Sequence, residues 1–266
     1  MAELFVKQAQ QYADARPSYP PQLFHFIASK TPSHNLAWDV GTGSGQAAKS
    51  LAAIYKNVIA TDASEKQLEF ATKLPNIKYQ HTPSTMSTTE LEQKVAPQGT
   101  VDLVTIAQAM HWFDLPTFYK QVKWVLKKPH GVIAAWCYSL PRVNNDAVDK
   151  LLDQLYEDDL GQYWNRAVRK FVDDDYKNID FPFQPVDDGV DHTGPFEFES
   201  EFVWNLDHYL GYIRSWSAYQ TAKDKGLEFL GEDVVEKFKG SWGGDEDERK
   251  VVKSRVYLKI GRVGDK

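Results

Sequence analysis

The sequence predicts an α/β fold, a doubly wound and mostly parallel sheet of seven strands with a helical segment inserted late in the chain. Three observations carry this. Short apolar runs alternate with amphipathic stretches through the first half, the signature of a parallel sheet covered on both faces. The first apolar run ends in a glycine-rich turn that leads into a helix-like stretch. After Tyr138 the alternation gives way to a helical, acidic region.

Leu36–Val40 is short, apolar and stopped by glycines, so it reads as a buried strand. Ser44–Tyr55 follows as a helix, Asn57–Thr61 as a second strand and Ser64–Leu74 as a helix ended by Pro75. Asn76–His81 is the third strand and Val101–Ala107 the fourth. Leu115–Leu126 is a helix with Phe118, Val122 and Val125 on one face, and Gly131–Trp136 is the fifth strand. From Asn144 to Phe171 the spacing of Leu151, Leu152, Leu155 and Tyr156 is helical, and a Pro/Gly-rich stretch follows to Pro195. Phe196–Trp204 reads as a strand, Leu206–Ala218 and Glu228–Gly240 as helices, and Val251–Val263 as the last strand. The expected organisation is one domain over 1–266, with an N-terminal cap at 1–30 and an inserted helical and loop segment at 140–195.

Composition narrows the function classes. The 266 residues carry a net charge of −6 and one cysteine, Cys137. The acidic balance disfavours a duplex-binding surface, which needs clustered Lys and Arg. A lone cysteine fits a reducing compartment. The start lacks the basic-then-apolar pattern of a secretory signal, and no run of about 18 apolar residues spans a membrane. The expectation is a cytoplasmic protein with no nucleic-acid or membrane partner, monomeric or homodimeric. The histidines show no ligand spacing, so no metal is expected.

The segment Asp39-Val40-Gly41-Thr42-Gly43-Ser44-Gly45-Gln46 is the most informative. Its glycines allow a tight turn and close approach to a ligand at the carboxyl end of the first strand. The third glycine comes one residue too early for a dinucleotide fingerprint, and no Gly-Lys-Ser/Thr follows, which excludes a Walker loop. Asp39 repels a pyrophosphate and favours a cation, unless it merely caps the turn. S-Adenosylmethionine carries an ammonium, a sulfonium and no phosphate. Asp62, at the end of the second strand, is placed to accept ribose hydroxyls.

With these residues the chain resembles the class I S-adenosylmethionine-dependent methyltransferases, and within them the small-molecule group that includes yeast and plant trans-aconitate-type enzymes. The resemblance rests on Tyr12-Ala13-Asp14-Ala15-Arg16-Pro17-Ser18-Tyr19-Pro20, Asp39 to Gly45, Thr61-Asp62-Ala63-Ser64, Val101 to Asp114 and Tyr212 to Tyr219. It is weak over 140–195. It implies a Rossmann-like sheet with an antiparallel last strand and S-adenosylmethionine as cofactor. The cofactor residues it implies are Tyr12, Arg16, Asp39, Gly41, Thr42, Gly43, Asp62, Ala63, Pro83, Ser84 and Gln108. It implies a small-molecule methyl acceptor, with a carboxylate oxygen as one receiving atom, and Tyr19, Trp112, Trp216 and Tyr219 on the acceptor side. The alternatives are a cofactor-binding protein without catalysis and a protein methyltransferase.

His111 is the candidate for acid–base work, since an imidazole titrates near neutrality. It also suits an orienting contact, because a carboxylate nucleophile has no proton to lose at pH 7, or a packing role. Arg16 fits a carboxylate clamp or a surface pair with Asp14. Trp216 and Tyr219 fit either pocket walls or core.

Overall fold

The computed structural model describes residues 18–245 and 247–264. Helix α1 (Pro21–Ser29) precedes strand β1 (Leu36–Val40), α2 (Gln46–Ala52), β2 (Asn57–Asp62), α3 (Glu65–Glu69) and β3 (Ile77–His81). Next come α4 (Thr88–Lys94), β4 (Leu103–Ala107), a 3-10 turn (Met110–Trp112), α5 (Leu115–Val125) and β5 (Val132–Tyr138). Then follow α6 (Asp146–Gln154), a wide π turn (Leu155–Asp159), α7 (Arg166–Asp173), β6 (Phe196–Trp204), α8 (Leu206–Arg214), α9 (Ser217–Asp224), α10 (Glu232–Trp242) and β7 (Lys250–Arg262).

The seven strands form one sheet in the order β3-β2-β1-β4-β5-β7-β6. Strands β1 to β5 pair in parallel, and β7 runs antiparallel to both β5 and β6. The chain winds outward from β1 through β2 to β3, then returns to place β4 on the other side of β1. That reversal opens a crevice at the carboxyl ends of β1 and β4, where ligands bind in doubly wound sheets.

Strand alternation sorts the core into two apolar layers. Val132, Ala134, Trp136 and Tyr138 face the layer covered by α1, α2 and the helices after β5, while Ile133, Ala135 and Cys137 face the layer under α5. These β5 residues are buried on both faces, as the near-continuous apolar run requires.

The helices depart from the sequence reading more than the strands do. Helix α3 ends at Glu69, well short of Leu74. Ser87 and Glu90 close a capping box that starts α4, a helix the apolar spacing did not reveal. The stretch expected as helical over 144–171 is two helices with a π turn and an irregular connection between them. The helix expected over 206–218 breaks at Ser215 and Trp216, where Trp216 adopts an extended backbone and starts α9.

Candidate functional site

The glycine loop turns where it must. Gly41, Gly43 and Gly45 all have positive φ, at 63°, 57° and 85°. At Gly41 a Cβ would stand 2.8 Å from the Ala109 Cβ, so the loop passes too close to the β4 end for any side chain. The turn is tied to β2 by the Thr42 N–H, which donates to the Thr61 carbonyl at 3.0 Å.

Asp62 fixes the other side. Its Oδ2 accepts from the Gly43 N–H and its Oδ1 from the Ser64 N–H, both at 2.8 Å. Burial raises its pKa, while the N–H groups of Ser64, Gly43 and Ala63 pull it back. Each carboxylate oxygen has a second lone pair to offer.

Asp39 departs from the expectation that it faces the ligand. Its register partner on β4 is Thr105, and the two lie on the same face of the sheet. It is fully buried, with Oδ1 accepting from the Thr105 hydroxyl at 2.6 Å and Oδ2 from the Thr42 hydroxyl at 2.5 Å. Burial pushes its carboxyl up to about 6, against the two hydroxyls. Asp39 therefore braces the loop from behind and is not part of the cavity wall.

That wall encloses a cavity of about 350 Å³. Gly41, Thr42, Gly43, Asp62, Ala63, Pro83, Ser84 and Gln108 line it, together with Tyr19 and Trp112. Tyr12 and Arg16 lie outside the described residues. Gln108 is held in the left-handed region with φ 52°, where its Oε1 accepts from the Tyr138 N–H at 3.1 Å.

A second cavity, of about 450 Å³, adjoins the first and shares Gln108, Trp112 and Tyr138 with it. His111, Tyr212 and Trp216 line it, and most of the remaining wall comes from residues 140–175. Tyr156, Trp164 and Trp216 are mutually in ring contact, with centroids 4.9–5.8 Å apart. Arg142 and Arg169 stand in the wall, paired with Asp153 and with Glu157 and Asp173. Tyr219 lines neither cavity: it is buried, and its hydroxyl bonds the Glu228 carboxylate.

Sequence reasoning missed Gln67, Tyr138 and Tyr176. Gln67 lines the first cavity while 3% exposed, and both its amide atoms lack a protein partner. Its signal was present: with Ser64, Leu68 and Ala71 it completes the buried stripe of a helix, a costly place for an amide.

The first cavity fits an adenosine compound. A buried, unpartnered amide asks for a polar ligand with donors and acceptors, Asp62 offers lone pairs beside a glycine turn, and no basic side chain among the described lining residues serves a phosphate. A nucleoside site of this kind, at the switch point of a doubly wound sheet that closes with an antiparallel strand, defines a class I methyltransferase. The comparisons agree. Residues 38–135 match the family described as a methyltransferase domain. A Dictyostelium discoideum protein named as a methyltransferase is 34% identical over 214 residues, covering 79% of this chain and 75% of the relative. A Saccharomyces cerevisiae protein named as an S-adenosylmethionine-dependent methyltransferase is 26% identical over 240 residues, covering 80% and 79%. The solved structure of an Anaeromyxobacter dehalogenans protein named as a type II methyltransferase superposes with a TM-score of 0.78 at 30% identity, covering 94% of this chain and 99% of that one. The chain belongs to the S-adenosylmethionine-dependent methyltransferase family, and S-adenosylmethionine is its cofactor. Among the described residues no helix is long and apolar enough to cross a membrane.

Proposed function

We propose that the chain methylates a small molecule seated in the second cavity, with a carboxylate oxygen as the receiving atom, as in the trans-aconitate-type group it resembles. The observation that carries this reading is the junction of the two cavities at Gln108, Trp112 and Tyr138, the carboxyl ends of β4 and β5. A cofactor on one side and an acceptor on the other would meet there.

In this reading Asp62 binds the ribose hydroxyls, Gly41 to Gly45 pass under the methionine part, and Pro83 and Ser84 border the adenine. When bound, S-adenosylmethionine supplies a methyl group already activated on a sulfonium. The protein's task is then to align the nucleophile and exclude water, which contributes about 7–11 kcal/mol in well-oriented reactions. Trp112, Trp216 and Tyr19 supply the aromatic enclosure that keeps water out. Arg142 and Arg169 supply guanidinium groups, and their bonds to protein use two N–H groups each of the five that an arginine carries. The segment 140–195 provides most of the acceptor wall and so sets acceptor choice within a single domain.

Calorimetry with S-adenosylmethionine followed by labelled-methyl transfer to organic acids, phenols, amines and proteins tests the reading. Cofactor binding with methyl-ester formation is the expected result. Binding with no transfer would favour a non-catalytic protein, and label on polypeptide would favour a protein methyltransferase.

A further inference from the structure

The wall of the second cavity holds a contact that decides how His111 works. His111 sits in the 3-10 turn after β4, and its Nδ1 lies 2.8 Å from the hydroxyl of Tyr176. Tyr176 comes from the inserted segment, just past the end of α7, and is fully buried. The chain reaches this position by an unusual route. Asp175 and Tyr176 both adopt positive φ, at 55° and 59°, in the C-terminal turn of α7, where the Tyr176 N–H donates to the Phe171 carbonyl. Such a turn favours glycine, because a side chain is strained there. What the tyrosine adds is a phenol brought up beneath the imidazole.

The direction of the hydrogen bond follows from the phenol. Burial in an apolar layer raises the Tyr176 pKa well above its ordinary value, so the oxygen keeps its proton. That proton needs an acceptor, since a buried unmade hydroxyl bond is costly. Among the described residues, Nδ1 of His111 is the acceptor within reach. The phenol donates, Nδ1 accepts with its lone pair, and a neutral His111 then carries its own proton on Nε2. Whatever His111 meets through Nε2, it meets as a donor.

We propose that Tyr176 is a positioning residue that fixes His111 as the Nε2–H tautomer, so that His111 holds the methyl acceptor as a hydrogen-bond donor and does not act as a base. This rests on the reading of the second cavity as the acceptor site. It carries a chemical demand: the receiving atom must offer a lone pair without losing a proton to His111. A carboxylate meets that demand at neutral pH. For this tautomer to take a proton from an acceptor, Nε2 would first have to give up its own and the Tyr176 bond would have to reverse.

Nitrogen-15 NMR of the full chain with labelled histidine tests the proposal without any acceptor. Spectra are taken above about pH 8, where an ordinary imidazole is neutral, and His111→Gln assigns the resonance. The expected wild-type pattern is a protonated Nε2 with an unprotonated, hydrogen-bonded Nδ1, and Tyr176→Phe is expected to replace it with a mixture of both tautomers. A wild-type Nδ1–H, or a Tyr176→Phe protein with the tautomer unchanged, would overturn the proposal. Should Tyr176→Phe fail to fold, the wild-type spectrum decides alone. Calorimetry with S-adenosylmethionine on the same sample separates the two readings: the expected tautomer in a chain that binds no cofactor supports the role of Tyr176 and overturns the functional reading of the cavities.

Discussion

The two cavities meet at three residues yet are built by different means. The first has one side built on backbone, a glycine turn with a carboxylate clamped by N–H groups, and side chains such as Trp38, Phe113 and Phe118 elsewhere. The second is made of side chains, with aromatic rings packed on one another and ion pairs carried on α6, the π turn and α7. A wall of backbone admits few substitutions and so fixes one ligand. A wall of side chains can change its contents while the sheet stays as it is, which suits the part that chooses an acceptor.

The sharpest way to break this comparison is at Asp62. Asp62→Ala removes the carboxylate proposed to accept from the ribose and frees the Gly43 and Ser64 N–H groups. Charged hydrogen bonds contribute about 1.5–3 kcal/mol each, so two of them predict a loss of cofactor affinity on the order of 10²–10⁴-fold by calorimetry. Retained affinity would mean that the nucleoside lies elsewhere.

Asp39 tests the loop from behind. Its carboxyl sits at about 6 in the folded chain against a reference of 3.8. For an acid whose folded pKa is raised, the stability contribution is complete below the unfolded value and lost as pH rises through the folded one. Between about pH 4 and 6 the wild type should therefore lose about 3 kcal/mol relative to Asp39→Asn, at 1.36 kcal/mol per pH unit. Urea titrations of both proteins across that range measure the difference, and parallel curves would refute the buried-carboxyl account.

The comparison also explains what the sequence disclosed. Gly41 and Gly43, Asp62 and Gln108 were legible because strand ends follow from alternation and a turn of this shape demands glycine. Asp39 was assigned its place but not its direction, since only its pairing with Thr105 shows that its side chain points away from the cavity. The second cavity was the harder part. Trp112, Tyr138, Tyr156 and Trp216 are far apart in the chain, and tertiary packing alone brings them to one wall. The resemblance puts Tyr219 with Trp216 on the acceptor side. The break at Ser215 and Trp216 separates their surroundings, leaving Trp216 at the cavity and Tyr219 in the core against Glu228. Tyr176 gave no local sign at all, because a bulky residue in a left-handed turn contradicts the usual preference.

Gly41→Ala gives an intermediate effect. The left-handed backbone costs an alanine about 1–2 kcal/mol, and its methyl group meets Ala109 at 2.8 Å. Cofactor affinity should fall about tenfold, the equivalent of 1.4 kcal/mol, with the rest of the fold retained by circular dichroism. An unchanged affinity would show that the turn can shift without disturbing its ligand.

The smallest effect is expected in the other wall. Arg169 pairs with Glu157 and Asp173 and lies 4.3 Å from the Tyr156 ring centroid, but Glu157 is largely in solvent and Asp173 partly so. Ion pairs of this sort contribute about 0–1 kcal/mol, so Arg169→Gln should lower the melting temperature by only about 2–4 °C. The affinity for S-adenosylmethionine should stay unchanged, because Arg169 lines the second cavity and not the first. If cofactor binding weakened as it does for Gly41→Ala, the two cavities would be energetically one, and the division between a fixed backbone wall and an adjustable side-chain wall would fail.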